Sequence, residues 1–487
     1  MPLLSNKEDH NIYIKIQKIY IFSSLISLLC CLKPPEYYDS LFLLPLSFII
    51  CASTIIRPIV NARFDSITFN LIYFTLFLRY VILPIVITFD PPYSVSHYTC
   101  KDALKIFTAI SYMVYELFVV SMFLYFYYSR HSKELIYSSP QKANLNIQKT
   151  TFLLFLGVLI TAGVVVISPN ALNSISFLKI DVDSGERLGE AEISTNTLIL
   201  RQLFVVGVLL VFIALSCISA QIDRRSSSIF HLIIPLLSGM ICIGMIIGEQ
   251  RSSQVYTCFA TVLLISALFP RYKKTATRIL IVSAIIILVL ISIYKMFFAF
   301  SYGSYLEAIA ATDSSEYTIG YTAEIYLLGP ITVSAVIDLY NNSYPEFTTL
   351  FFDFMRSTMG LHLFVKDMSI ESSSVLFNKF VTGTSMITNG YLLPISGNGL
   401  LYLTPIFGPF LLILIYRIGF FIEKVMKKTH SPIIFFFCAY VLIRYGTCML
   451  SSNLNTVLTM SSLIAIFVIP IYFIDKLFKR ETKRIVE

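Results

Sequence analysis

Long apolar runs alternate with short polar connectors along almost the whole chain. Most runs reach about 18 residues with few charges, which is the length that an α-helix needs to cross a bilayer. Because the runs are continuously apolar, they favour helices over the alternating strands of a transmembrane barrel. The pattern predicts an all-α polytopic integral membrane protein of about twelve spans. The predicted spans are 18–33, 41–56, 67–89, 104–128, 150–168, 197–220, 229–248, 253–270, 279–298, 399–422, 432–451 and 457–474.

Positive charge distinguishes the two sides of this arrangement. The chain has 37 Lys and Arg residues, and most of them lie before the first predicted span or after an even-numbered one. Cytoplasmic loops of membrane proteins carry such an excess. We therefore expect both termini in the cytoplasm and a single membrane domain over 1–487. The two long outer loops, 169–196 and 299–398, are not enriched in basic residues.

Composition agrees with a membrane protein. Hydrophobic residues make up 56% of the chain and charged residues 14%, with a mean hydropathy of +0.75, whereas a soluble domain has about 25% charged residues. The net charge of +8 is spread over many short loops, so it does not indicate nucleic-acid binding. Of the nine cysteines only Cys100 lies in a predicted outer loop. We therefore expect no disulfide framework, no metal site and no cofactor.

The outer loop 299–398 is the long segment that is neither a span nor a short connector. An apolar run at 325–340 is broken by Gly329 and Pro330, which predicts a re-entrant or interfacial helix rather than a full span. His362 is a usable general base near neutral pH, and Glu324 and Asp353 are alternative bases. A lone histidine in such a loop also serves simply as a polar residue, so this choice stays open.

Aromatic and cationic side chains in the same loop suit a glycan. Tyr317, Tyr321, Tyr326 and Tyr391 are able to stack on sugar rings, although tyrosines also occur as interfacial anchors. Arg356, six residues before the histidine, is a candidate contact for a phosphate or a sugar.

Arginines within or near the predicted spans are a second group of candidates. Arg201, Arg251 and Arg444 all fall in the outer half of the predicted membrane domain. A guanidinium stays charged and forms paired hydrogen bonds with phosphate oxygens. The three residues therefore predict a clamp for a lipid-linked diphosphate. The alternative is that each arginine extends separately to the membrane surface.

Arg79 and Glu116 are a different case. Each lies twelve residues into its predicted span, and the third and fourth spans are adjacent and antiparallel. At about 1.5 Å per residue, the two charges fall at similar depth. We predict that they form an ion pair, with a structural role favoured over a catalytic one.

Several motifs of soluble and ATP-driven enzymes are absent from the sequence. It contains no Walker A motif, no zinc-ligand spacing, no nucleophile elbow and no glycine-rich dinucleotide turn. An ATP-driven pump and a metal hydrolase are therefore disfavoured.

The layout resembles the bacterial O-antigen polymerases, which join oligosaccharide repeat units. The resemblance rests on the turn Gly248–Ser253, the segment Tyr326–Pro330, and Gly397, Gly399 and Gly408. It implies a growing glycan on undecaprenyl diphosphate as donor and a new lipid-linked repeat unit as acceptor, at the periplasmic face of the inner membrane. It also implies no metal or nucleotide sugar, and separate glycosyltransferases, a flippase and a chain-length regulator as functional partners.

On this resemblance, Arg251, Arg201, Arg444 and Arg356 would bind diphosphate, and His362 or a loop acid would accept the acceptor's proton. Three alternatives stay open: an O-antigen ligase with the same donor, a lipid-linked oligosaccharide flippase, and a sugar O-acyltransferase. The long outer loop argues against a flippase, which should have short loops on both sides.

Overall fold

The computed structural model describes residues 5–61, 66–137, 145, 151–169, 195–245, 252–299, 318–342, 347–365, 371–383, 391–450 and 453–486. Over these residues the chain is mostly helical, and its strands are two short ones, β1 (Ser94–Val95) and β2 (Tyr98–Thr99), which form a hairpin in which Val95 pairs with Tyr98.

Membrane-spanning character is clear in several helices of the described part. Five are long and apolar enough to cross a membrane, or up to seven if each of two bent helix pairs counts as one span. The five correspond to the second, third, fourth, sixth and twelfth predicted spans. They are Leu43–Val60, Ile67–Phe89, Ala103–Arg130, Gln202–Arg225 and Leu454–Ile474. The protein is thus an all-α membrane protein.

The chain divides into two compact units. Unit 1 comprises Met1–Pro140, Ser315–Glu423 and Arg444–Ser462. Its helices in the first segment are α1 (Ser5–Cys30), α2 (Leu43–Cys51), α3 (Arg57–Asn61), α4 (Ile67–Phe77), α5 (Leu83–Phe89) and α6 (Ala103–Tyr137), with π-helical turns at Ala52–Ile56 and Leu78–Ile82.

Unit 2 comprises Gln141–Ser314, Lys424–Ile443 and Leu463–Glu487. Its first segment holds α7 (Thr151–Ile167), α8 (Thr195–Arg225), α9 (Ile233–Gly244), α10 (Ser252–Leu268) and α11 (Lys273–Ala299), with 3-10 turns at Ile229–Leu232 and Pro270–Tyr272. Helices α7 and α8 pack closely where small residues meet. A Cβ on Gly207 would lie 2.5 Å from Thr161 Oγ1, so only glycine allows this approach.

Short helices follow in the second segment of unit 1. They are α12 (Ile319–Leu327), α13 (Pro330–Asn342), α14 (Phe347–Ser357), a 3-10 turn at Leu361–Phe364, α15 (Ser373–Thr382) and α16 (Ile395–Leu403). The last helices are α17 (Gly408–Lys428), α18 (Pro432–Gly446) and α19 (Leu454–Val486), and the boundary between the units falls within each of them.

Two of these helix junctions are sharp breaks. Leu328 has a φ of +52° between α12 and α13, which meet at 53°. Thr404 has a φ of +80° between α16 and α17. The predicted tenth span, 399–422, is therefore two helices rather than one. Pro405 follows Thr404 and has no backbone N–H to donate, so the helix cannot continue through it.

A buried carboxylate, Glu423, joins two helices of unit 1. Glu423 on α17 accepts hydrogen bonds from Ser66 Oγ at 2.7 Å and from the backbone nitrogens of Ile67 and Thr68 at 2.9 and 3.0 Å. These nitrogens lie at the start of α4, where a helix has unsatisfied donors and a partial positive charge. The contact joins the beginning of α4 to α17.

Candidate active site

Asp353 is the centre of a buried polar network in unit 1. It lies on α14, and its carboxylate oxygens accept from Ser373 N at 3.2 and 3.1 Å. Ser373 Oγ also donates to Asp353 Oδ2, and Tyr402 OH donates to the same oxygen at 3.0 Å. The three residues belong to α14, α15 and α16, so the carboxylate holds three short helices at one point.

The local sequence explains why Ser373 meets a carboxylate. Ser372 is the N-cap of α15, and its hydroxyl accepts from Val375 N at 3.4 Å. Ser373 is the first residue of that helix, where backbone N–H groups are unsatisfied and negative charge is favoured. Asn398 Nδ2 donates to Ser373 Oγ at 2.8 Å, which directs the serine proton toward Asp353.

The environment of Asp353 makes it a better proton acceptor than a surface aspartate. Burial raises the pKa of its carboxyl above the ordinary value, while hydrogen bonds from Ser373 and Tyr402 and the charge of Arg356 act in the opposite direction. A carboxylate with a raised pKa removes a proton more readily near neutral pH. The raised pKa keeps Asp353 a candidate base, and its buried oxygens already accept hydrogen bonds from Ser373 and Tyr402.

Arg444 joins the same network through the loop before α19. Arg444 Nη1 donates to Thr456 O at 3.0 Å, and Thr456 N donates to Asn453 Oδ1 at 2.7 Å. Asn453 Nδ2 in turn donates to Ser374 Oγ at 3.2 Å, next to Ser373. The structure thus links two predicted site residues, Arg444 and Asp353, by a continuous chain of hydrogen bonds and neighbouring residues.

Arg79 and Glu116 form the ion pair that their positions in the sequence suggested. Arg79 Nη1 lies 2.8 Å from Glu116 Oε2, and both side chains are buried. Arg79 Nε also donates to Leu328 O at 3.1 Å. The arginine thereby satisfies a carbonyl at the α12–α13 break. Arg79 Nη2 and Glu116 Oε1 have no hydrogen-bond partner among the described residues.

Glu324 caps the start of α13 across the α12–α13 break. Its side chain is fully buried, and Oε1 accepts from Thr332 N at 2.8 Å. Thr332 lies in the first turn of α13, so the carboxylate caps this helix across the break. We assign to Glu324 the role of holding α12 against α13.

Two further predicted residues lie on neighbouring short elements. Arg356 is on α14, three residues after Asp353 and half-buried. His362 is in the 3-10 turn Leu361–Phe364, and its Nδ1 accepts from Gly360 N at 3.3 Å. The structure gives His362 a contact within its own turn and does not include it in the Asp353 network.

The proposed diphosphate clamp is only partly described. Arg251 lies outside the described residues, as does Tyr317. Arg201 is on α8, and its side chain lies outside the described part. The clamp of Arg201, Arg251 and Arg444 stays a prediction. Within the described ranges, no group of three or more His, Cys, Asp or Glu side chains could hold a metal ion.

Sequence reasoning missed the partners of Asp353. Ser373, Asn398 and Tyr402 lie 20 to 49 residues away from it in the chain, and such distances carry no periodic signal. The run Ser372–Ser374 before an apolar segment does indicate a helix N-terminus, so the cap could have been found but not its partner.

Comparison with known proteins identifies no relative of this chain. No protein-family model, no curated protein and no solved structure matches the chain.

Proposed function

We propose that this protein is a membrane-embedded glycosyltransferase that joins undecaprenyl-diphosphate-linked oligosaccharide repeat units into O-antigen or a related surface polysaccharide. The observation that carries the proposal is the Asp353 network. A buried carboxylate with a raised pKa lies among short helices, outside the five long apolar helices, and Ser374, the chain neighbour of its partner Ser373, is linked to Arg444 through Asn453 and Thr456. The charge of Arg356 acts on the same carboxylate, and a base beside a cation is the combination that glycosyl transfer from a diphosphate requires.

The topology that accompanies this function has twelve spans with both termini in the cytoplasm of a bacterial inner membrane. Five long apolar helices coincide with predicted spans. Segment 299–398 then lies on the periplasmic side, where a lipid-linked glycan is assembled. The basic connectors support this orientation.

The acceptor hydroxyl oxygen attacks the anomeric carbon of the donor glycan, and a new glycosidic C–O bond forms. The bond between that carbon and the diphosphate oxygen breaks, and undecaprenyl diphosphate leaves with the electron pair. Asp353 takes the hydroxyl proton, with His362 as the alternative base. Arg444 and Arg356 stabilise the charge on the diphosphate.

A complementation experiment tests the function. We expect deletion of the gene to remove the polysaccharide ladder and leave core carrying a single repeat unit. The wild-type gene should restore the ladder, and Asp353→Asn should not, at equal protein abundance in the membrane. Asp39→Asn is the matched control, because Asp39 is an exposed carboxylate outside the network, and it should restore the ladder fully. An unchanged ladder in the deletion strain would overturn the proposal.

A second candidate function, a flippase for lipid-linked oligosaccharide, is favoured by the helix breaks. Arg79, paired with Glu116, donates to the carbonyl of Leu328 at the α12–α13 break. Transporters build substrate and ion sites at such discontinuous helices. The same gel separates the two functions, because loss of a flippase removes the single-unit band as well as the ladder.

A further inference from the structure

The β-hairpin of unit 1 packs against the short helices that follow α12. Tyr98, on β2, donates to Asp338 Oδ2 on α13 at 2.8 Å and lies 3.1 Å from Ser334 Oγ. Its ring is 5.7 Å from the ring of Phe380 on α15, at a tilt of 38°. One tyrosine therefore touches two helices and presents an aromatic pair beside a carboxylate.

Asp338 and Lys105 form the charged part of this surface. Lys105 Nζ lies 2.6 Å from Asp338 Oδ2, and the side chains are 48% and 17% exposed. Both donors to Asp338, Tyr98 and Lys105, use the same oxygen. Oδ1 receives no hydrogen bond from the described residues, so one carboxylate oxygen remains able to accept from a ligand.

Two further tyrosines, Tyr321 and Tyr391, lie at the hairpin turn. The hydroxyls of Tyr321 and Tyr391 are 3.0 Å apart, and Ser96 N, in the turn, donates to Tyr321 OH at 3.4 Å. Asn378 fixes Tyr391 by accepting from its backbone nitrogen and donating to its backbone oxygen, both at 2.8 Å. Val95 and Tyr391 line a narrow cleft between these elements.

We propose that this surface, which we call the hairpin face (Tyr98, Lys105, Asp338, Phe380, Tyr321 and Tyr391), binds a neutral sugar of the glycan. A sugar ring has an apolar face that packs on an aromatic ring and hydroxyl groups that donate to a carboxylate and accept from an ammonium. The hairpin face offers all three partners. It suits neither a lipid tail, because the charged pair is partly exposed there, nor a phosphate, which the Asp338 carboxylate repels.

The hairpin face shares α15 with Ser373, the partner of Asp353, and the choice of a glycan as its ligand rests on the proposed function. Phe380 and Ser373, the partner of Asp353, are seven residues apart on α15. At about 1.5 Å per residue this is about 10 Å along the helix axis. An oligosaccharide held on the hairpin face would extend along α15 toward the carboxylate that accepts the proton. The face is thus a binding subsite and contributes no group to the reaction.

The absence of tryptophan from the chain makes a direct binding test possible. Phe380→Trp places the only tryptophan of the protein on the hairpin face. The probe is the repeat-unit oligosaccharide that mild acid releases from the host's own lipid-diphosphate-linked repeat unit by hydrolysis of the glycosyl-phosphate bond. It is added to the purified full-length protein in detergent. We expect a saturable change in tryptophan emission. Asp338→Asn in the same background should raise the apparent Kd at least tenfold, since it removes a charged hydrogen-bond acceptor.

Phe364→Trp is the matched control, because Phe364 is exposed on a different element and is not part of the hairpin face. Its emission should not respond to the oligosaccharide. A flat titration at Phe380→Trp, or an equal response from both variants, overturns the proposal. If Phe380→Trp does not elute as a folded protein, saturation-transfer NMR on the wild-type protein and on Asp338→Asn decides the same question, with loss of transfer expected only in the variant.

The titration involves no transfer reaction, so its failure and that of the polymerase proposal are distinguishable. Saturable binding together with an unchanged ladder in the deletion strain would retain the subsite and reject the polymerase. A lost ladder in the deletion strain, together with a flat titration and full complementation by Asp338→Asn, would retain the polymerase and reject the subsite.

Discussion

Arg79 Nη1 lies 2.8 Å from Glu116 Oε2, and the same guanidinium donates through Nε to Leu328 O at 3.1 Å. The pair is fully enclosed by protein, so neither charge can find water if the other is removed. The arginine also satisfies the carbonyl at a helix break. The two contacts join α6 to the turn between α12 and α13 through one side chain.

We expect Glu116→Ala to destabilise the protein by about 3–5 kcal/mol, because it leaves a buried guanidinium without its counter-ion. The double variant Arg79→Met, Glu116→Leu should recover much of the loss, since it removes both charges. The measurement is the temperature at which a fluorescent-protein fusion, heated in detergent, loses its monodisperse elution.

Lys105→Ala is the control for this experiment, because the Lys105–Asp338 pair is partly exposed. Exposed pairs contribute about 0–1 kcal/mol. Equal losses from Glu116→Ala and Lys105→Ala would contradict the assignment of Arg79 and Glu116 as a buried structural pair.

The Arg79–Glu116 pair also shows how far sequence reasoning reaches. Each residue lies twelve positions into one of two adjacent antiparallel spans, so helix rise alone places both at similar depth. The same regularity predicted the long apolar helices, for example 67–89, which coincides with Ile67–Phe89. Depth along a span is a local property that residue counting recovers.

The contacts of the short helices could not be predicted in this way. Glu324 was a candidate base, but it caps α13 across a break whose geometry depends on a left-handed Leu328. Asp353 was proposed from its residue type alone, and its partners Ser373 and Tyr402 come from other helices. Such pairings depend on the packing of elements distant in sequence, which no local periodicity encodes.

Asp353 should give the protein a specific dependence on pH. Burial raises the pKa of its carboxyl, so above about pH 4 the folded protein keeps a proton that the unfolded chain has lost. The stability that this proton contributes is fully present below the unfolded pKa and is lost as pH rises through the folded pKa. Asp353→Asn should flatten this decline in the unfolding temperature and reduce polymer formation about 10²–10⁴-fold.

Ser373→Ala distinguishes the effect of losing a hydrogen bond to Asp353 from the effect of losing the carboxylate itself. It removes one hydrogen bond to the carboxylate but keeps the carboxylate itself, so polymer formation should fall less than in Asp353→Asn. If Asp353→Asn left both the pH dependence of unfolding and the polymer ladder as in the wild type, Asp353 would be neither a buried titrating group nor a base.

Gly399 lies within α16, and the close approach of this helix to Gly408 at the start of α17 requires glycine there. A Cβ on Gly399 would lie 2.1 Å from Gly408 O, a distance that forces the backbone to move. We expect Gly399→Ala to lower the free energy of unfolding by about 2 kcal/mol or more, which is several times the usual effect of a surface substitution. Gly163→Ala is the matched control, because a Cβ there meets nothing within 4 Å. It should leave stability unchanged or raise it by up to about 1 kcal/mol. Both are measured by the heating assay.

The buried face of α14 is polar and its exposed face is apolar, which is the reverse of a helix in a soluble protein. Its polar residues Asp353 and Ser357 are buried, whereas Phe351 and Phe354 are 56% and 45% exposed. A helix in water turns its apolar face inward, so this arrangement favours contact of the outer face with lipid. We therefore predict that α14 lies in the membrane interface, with Asp353 facing the protein at about the depth of the lipid headgroups.

Tryptophan substitution tests this placement without interference, since the chain has no tryptophan of its own. In vesicles that contain brominated lipids, Phe351→Trp should show blue-shifted emission that the bromines quench strongly. Phe380→Trp, on the hairpin face, should be quenched weakly by brominated lipid and more strongly by iodide in the water. Iodide quenching of Phe351→Trp without lipid quenching would show that α14 lies in water. In that case the short helices would carry Asp353 away from the membrane, where it could not meet a diphosphate anchored in the bilayer.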